Sequence, residues 1–449
     1  MRMEIGKDKR IMPELRQPNN TLSSYWAMGL MLIIPLSMYT LGITTVTLSE
    51  WILLFGSFLF ILYRKGKVCI DKNIKGFLFF MLLFFLLTML DHFIQMRFQS
   101  RVIIRNIRVF LCVMYIVVAY NAVTWKTLNR LIRIFAMIAS FYIIIQFLAY
   151  SLAKVYLPSH LLPLPTSREE DIALNSLLYS KYYFRGSGFF AEPSYAIKFL
   201  LPCFVYSLFG WTDEKNTIDY KRALIIAAAI LCTTSMQGIV CMVIVVIIRM
   251  MSFLSDHKVS VRRVILSMGL ALGALLLFYL FSRQQGYTLI SNRFATVYLG
   301  TFNKGGSASL RLFRGYYVFG EFPFVQKIAG IGYGGLTEYI KTNGITTIHD
   351  SIYTTDSAIG YVNGISMVLC SVGIVGFAFF VYFIVRLFKN STRISRLILL
   401  SYIIMLLSGG GVFDLLMVYY LSIVFIENKR KNGQTLVSDV DLSDSRIVS

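Results

Sequence analysis

Arg185 to Ser194 reads R-G-S-G-F-F-A-E-P-S, and these residue types at this spacing can hold an anion and move a proton. Arg185 supplies a rigid planar fork of N–H donors suited to phosphate, and Gly186 and Gly188 leave the backbone free to approach a ligand. Pro193 fits the first turn of a helix. Glu192 then falls just before that turn, where amide donors and the positive helix end favour a carboxylate. Two roles stay open for it. As a cap it holds the helix start and pairs with Arg185; as a general base it accepts a proton from an attacking hydroxyl, although stabilisation by the helix end weakens it for that task.

A second group lies further along. Leu310, Phe313 and Tyr317 stand at helical spacing in an amphipathic stretch, 308–320, and Arg311 and Arg314, three apart, share one face of it. Two guanidinium groups there can bind the headgroup phosphates of any anionic lipid or clamp one particular diphosphate. Arg101, Arg105 and Arg108 climb an apolar run at helical spacing. An arginine inside a span costs about 2.5 kcal/mol or more, so Arg105 and Arg108 should face a hydrated cavity or snorkel to its rim. His349 and Asp356 are further acid or base candidates in a long polar loop. The run Gly330-Ile331-Gly332-Tyr333-Gly334-Gly335 has no strand-then-helix context and is not a nucleotide loop. Asp439 and Asp441, the only D-x-D, lie in the C-terminal tail.

Those groups need elements to position them. The chain has 449 residues, 56% apolar and 15% charged, which makes it an all-α integral membrane protein. Apolar runs bounded by charge predict about twelve spans (eleven to fourteen), near 25–41, 48–63, 76–90, 102–123, 130–152, 194–211, 222–235, 237–252, 263–281, 358–387, 396–409 and 412–427. Residues 1–24 form an N-terminal segment without the pattern of a cleavable signal peptide, 25–427 the transmembrane domain, and 428–449 a polar, disordered tail. No Cys or His spacing resembles a metal site, and no disulfides are expected.

With the N-terminus inside, 28 of the 44 Lys and Arg fall in cytoplasmic segments and 13 in outer loops, so both termini are expected in the cytoplasm. The formal net charge of +21 is therefore topological, and no nucleic-acid partner is implied. Only two loops are long, about 153–193 and 282–357, and both fall on the outer face.

At this point the residues resemble a family. R-x-x-G-x-x-x-E-P-S at Arg185 to Ser194 resembles the first periplasmic motif of bacterial O-antigen polymerases. The second loop is similar too, with Ser309 and Arg311, then Pro323, then G-I-G-Y-G at 330–334, followed by Gly373-Ile374-Val375-Gly376 in the next helix. The resemblance implies a membrane glycosyltransferase of the inner membrane, working at its periplasmic face without metal or other cofactor. It implies an undecaprenyl-diphosphate-linked oligosaccharide as donor and another as acceptor, the growing glycan passing to the nonreducing end of the new repeat unit. A chain-length regulator and a flippase are the implied partners. O-antigen ligases, which move finished glycan to lipid A core, carry a His-Asn pair before the last Gly-x-x-Gly; here Asn363 fits the Asn and Val362 takes the His position.

On that reading Arg185, Arg311, Arg314, Arg105 and Arg108 bind the diphosphate. Glu192, Asp356 and His349 compete as general base, and Gly188, Pro193, Ser194, Gly330 and Gly332 shape the motifs. A transporter of the same lipid-linked units is the non-enzymatic alternative. Against it, no internal repeat is found and the charge gathers in two outer loops.

Overall fold

In a bilayer, backbone amides have no partners but one another, so apolar runs of this kind are expected to be helices. The computed structural model describes residues 20–41, 46–64, 68–94, 100–166, 185–210, 219–255, 307–345, 362–409 and 411–444. In chain order these form α1 (Asn20–Leu32), a short 3-10 turn (Pro35–Met38), α2 (Leu48–Arg64), α3 (Lys72–Ile94), α4 (Ser100–Ala122) and α5 (Trp125–Ala153). Then come α6 (Pro193–Phe209), α7 (Tyr220–Cys232), α8 (Met236–Ser255), α9 (Ser307–Gly320), α10 (Phe324–Ala329), α11 (Leu336–Thr342), α12 (Gly364–Asn390), α13 (Arg393–Ser408) and α14 (Leu415–Asp444). A helix lies over each predicted apolar run except 263–281, which falls outside the described residues. α14 continues through most of the segment read from sequence as a polar tail.

Short polar side chains start several helices by taking an otherwise unmatched amide: Thr124 accepts from Thr127 N, Asp219 from Arg222 N, Asn363 from Ser366 N and Thr392 from Ser395 N. The protein is all-helical among the described residues, with two isolated β-bridges and no strand. Among the described residues, four helices are long and apolar enough to cross a membrane: Lys72–Phe93, Val102–Ala122, Trp125–Ala153 and Gly364–Asn390. α6 sits at the centre, buried along nearly its whole length among α5, α7, α8 and α13.

The polarity of these helices is inverted relative to a protein in water. On α3 the exposed side is Phe79, Leu82, Leu86, Leu90 and Phe93, while Thr88, Asp91 and His92 are buried. α4 and α5 repeat this, exposing Ile103, Ile107, Phe141 and Ile145 and burying Asn106, Asn129 and Gln146. Each such apolar side chain left in water forgoes roughly 1.5–3 kcal/mol, a cost that vanishes when its neighbour is a lipid chain. These exposed faces fit a protein surrounded by acyl chains.

Hydrogen bonds connect the helix ends into two sets. At one end, Thr124 N donates to Ser23 Oγ, Cys69 N to Asn121 Oδ1, Lys429 Nζ to the Tyr120 carbonyl and Thr392 N to Asn428 Oδ1. At the other, links run from Tyr39 to Leu161, Ser159 to Ser187, Gly186 to Cys232, Gln237 to Met405, Gly364 to Gly409 and Asn363 to Leu312. The second set collects the chemistry-bearing residues.

Candidate functional site

Gln146, on α5 and fully buried, organises the Arg185 stretch. Its Oε1 accepts from the amides of Ser187 (3.2 Å) and Gly188 (2.8 Å), and its Nε2 donates to the carbonyls of Gly188, Leu157 and Pro158. A primary amide can give and take at once, so one side chain ties two loop segments to a helix. Gly188 has φ +63°, and a Cβ there would lie 2.9 Å from Ile143 Cγ1, so the turn onto α5 requires glycine. Next to it, the Gly186 amide donates to the Cys232 carbonyl, and Arg185 Nε lies 3.3 Å from the Thr233 carbonyl and 3.2 Å from Thr234 Oγ1. Arg185 is thereby fixed against the kink between α7 and α8.

Glu192 takes the backbone position that precedes α6, and Pro193 opens the helix. Its side chain does not cap; instead the Ser194 hydroxyl donates to Glu192 Oε2 at 3.2 Å. Farther along α6, Lys198 is largely buried with its ammonium 4.5 Å from the Tyr195 ring centre. A carboxylate and a second cation thus share the helix that follows Arg185.

Around Gly330 the fold is set by backbone contact. The Ile331 and Gly332 amides donate to the carbonyls of Cys370 and Ser371. Gly330 (φ +88°) and Gly373 (φ +64°) face each other: a Cβ on Gly330 would lie 2.3 Å from the Ser371 carbonyl oxygen, and one on Gly373 2.2 Å from that of Ile328. Gly373 is also the kink of α12. The G-I-G-Y-G and Gly-x-x-Gly segments therefore interlock as two halves of one backbone contact.

That contact presents the Tyr333 and Gly334 carbonyls to α3 and α4. His92 Nε2 is 3.1 Å from the Tyr333 carbonyl, which can only accept, so Nε2 is the donor. Asn106 Nδ2 donates to the Val102 and Tyr333 carbonyls, which fixes the amide orientation and leaves buried Oδ1 without a hydrogen-bond partner among the described residues. Arg105 Nη1 donates to the Gly334 carbonyl at 3.3 Å. Buried Asp91 lies alongside, within 3.0 Å of where a Gly332 Cβ would be, which explains why Gly332 has none. Burial pushes the Tyr333 hydroxyl well above its ordinary pKa, with Asp414 adding to the effect.

Both arginines of α4 whose side chains are described are half-buried and have protein partners. Arg105 is held by the glycine loop, and Arg108 Nε pairs with Glu50 Oε1 at 2.6 Å. Glu50 also accepts from Thr47 N at 2.8 Å, so Arg108 braces the start of α2.

α9 turns its arginine inward. Arg314 is 1% exposed and Gly315 packs on Ser366 and Val362, whereas Phe313 (40%) and Tyr317 (55%) are exposed. This reverses the apolar-face-inward orientation of an amphipathic helix in water. Asn363 donates to the Leu312 carbonyl (3.0 Å) and so holds α9 to the start of α12; Val362 beside it is buried. Arg311 belongs to α9, its side chain being outside the described set, and His349 and Asp356 lie outside the described residues.

Sequence reasoning missed Gln146, Asp91, His92 and Asn106. For Asp91 and His92 a signal existed: an ionisable pair inside an apolar run marks a polar interior. A lone Gln or Asn in such a run carries far less.

No protein-family model matches the chain, and no curated protein matches it.

Proposed function

We propose that this chain is a polytopic glycosyltransferase of the O-antigen polymerase kind, with about twelve spans and both termini in the cytoplasm of a bacterium. It joins a growing glycan, carried on undecaprenyl diphosphate, to the nonreducing end of a new lipid-linked repeat unit at the periplasmic face of the inner membrane. One observation carries the reading: Arg185, Arg105 and Arg314, from three separate segments, lie in the same set of helix ends as the Glu-Pro-Ser helix start and the glycine loop.

The chemistry that suits this end is displacement at a sugar carbon. An acceptor hydroxyl oxygen forms the new C–O bond, the bond to the carrier diphosphate breaks, and the hydroxyl proton passes to a base. A polyprenyl diphosphate is an activated leaving group, so catalysis rests on positioning the hydroxyl and on cations that meet the charge on the departing diphosphate. Arg185, with Arg105, Arg311 and Arg314, has that role; Arg108 is occupied by Glu50 and is assigned to structure instead. Glu192, His349 and Asp356 remain the base candidates. Val362 in place of a histidine weighs toward polymerase over ligase.

Purified protein given lipid-linked repeat units should lengthen the glycan and release the carrier. Arg185→Ala should slow this by about 100-fold, the scale for losing one charge-stabilising donor, without loss of folded protein. In cells, absence of the protein should leave lipopolysaccharide with a single repeat at most. Lipid movement without new glycosidic bonds would favour a transporter, and loss of even the single-repeat species a ligase.

A further inference from the structure

At the opposite set of helix ends from Arg185, α3 and α12 enclose a groove whose polarity is graded along its length. Lys72 and Lys75, one turn apart at the start of α3, and Arg386, near the end of α12, stand at its rim. All three are exposed, and none has a side-chain ion pair or hydrogen bond among the described residues. Deeper along both helices the lining turns aromatic. Phe79 and Phe379 meet edge to face at 6.3 Å, Tyr382 is exposed beside them, and Phe80 stacks on Phe383 at 5.7 Å to close the floor. Gly76 lines the groove, and a Cβ there would meet nothing within 4 Å, so a larger side chain at this position would occupy the open space.

We propose that this groove binds one anionic phospholipid, its headgroup phosphate between Lys72, Lys75 and Arg386 and an acyl chain along the aromatic wall. Charge complementarity and order of polarity together select this occupant. Three cations at the rim with no ion-pair partner among the described residues favour an anion, and an aromatic lining toward mid-span favours an anion that carries a chain. A soluble phosphate satisfies only the rim. The groove is independent of the polymerase reading, and depends only on the helices crossing a membrane.

The test is native mass spectrometry of the full-length protein in detergent, titrated with phosphatidylglycerol and, separately, phosphatidylcholine. The wild-type protein should retain phosphatidylglycerol in preference. Lys75→Gln with Arg386→Gln should reduce that preference by about fivefold for each charge removed. Lys126→Gln with Arg130→Gln, which removes two exposed cations of α5 at the same set of ends, should leave it unchanged. Gly76→Leu keeps every charge and fills the groove, and should weaken phosphatidylglycerol retention. An equal loss from the α5 pair, no effect of Gly76→Leu, or displacement of the lipid by inorganic phosphate would overturn the site.

Discussion

Gln146 shows how much one uncharged side chain can determine. Its amide serves two N–H donors and three carbonyl acceptors in segments that position Arg185, and it is wholly buried. Gln146→Leu strands those groups away from water, so it should lower stability by at least about 2 kcal/mol and reduce glycan lengthening with it. Thermal unfolding in detergent, read beside the chain-growth assay, checks both. Gln146→Glu keeps the acceptor but sets a buried carboxyl group against three carbonyl oxygens, so its melting temperature should fall as well. Arg185 itself stood out in sequence as a candidate, because an arginine beside glycines and a Glu-Pro pair is chemically distinctive. Gln146 was not, since its importance lies in partners 11 to 42 residues away that sequence does not join to it.

Among the elements, α9 was legible as a helix but not in its orientation. Its limits, Ser307–Gly320, nearly match the predicted 308–320, yet Arg314 is inside and Tyr317 outside. If that outer face meets lipid, a spin label at Tyr317→Cys should relax strongly with oxygen and weakly with a water-soluble nickel chelate; the opposite ranking would place the face in water. The glycine segments make a second case. In sequence the run is no nucleotide loop and Gly330 has only a motif-shaping role; its three-dimensional role is the close approach of Gly330 to the α12 kink at Gly373. Gly330→Ala and Gly373→Ala each force a side chain against backbone at positive φ, which should cost at least about 2 kcal/mol. Alanine at Gly320, where a Cβ meets nothing, should leave the same melting transition within about 0.5 kcal/mol.

For the whole molecule, two sets of helix ends follow from alternating helix direction, and the proposed topology orients them by the lysine and arginine distribution. Alkaline phosphatase fused after His160 should be active, being exported, and fused after Ser391 inactive; reversed activities would invert the proposed topology. Sequence alone determined that this is a helical, membrane-compatible chain and where most of its described helices lie, to within several residues of their ends. Hydropathy and capping are local properties, and a bilayer leaves the backbone few alternatives. Only the tertiary structure decided which face of each helix is interior. Helices that meet lipid outside and protein inside are apolar on both sides, so period does not separate the two. Tertiary packing also brought His92 to the Tyr333 carbonyl across 241 residues and gave Arg108 to Glu50. Arg185 to Ser194 stood out in sequence as a candidate by residue type, and its geometry came from α5, α7 and α8, which the sequence left unconnected to it.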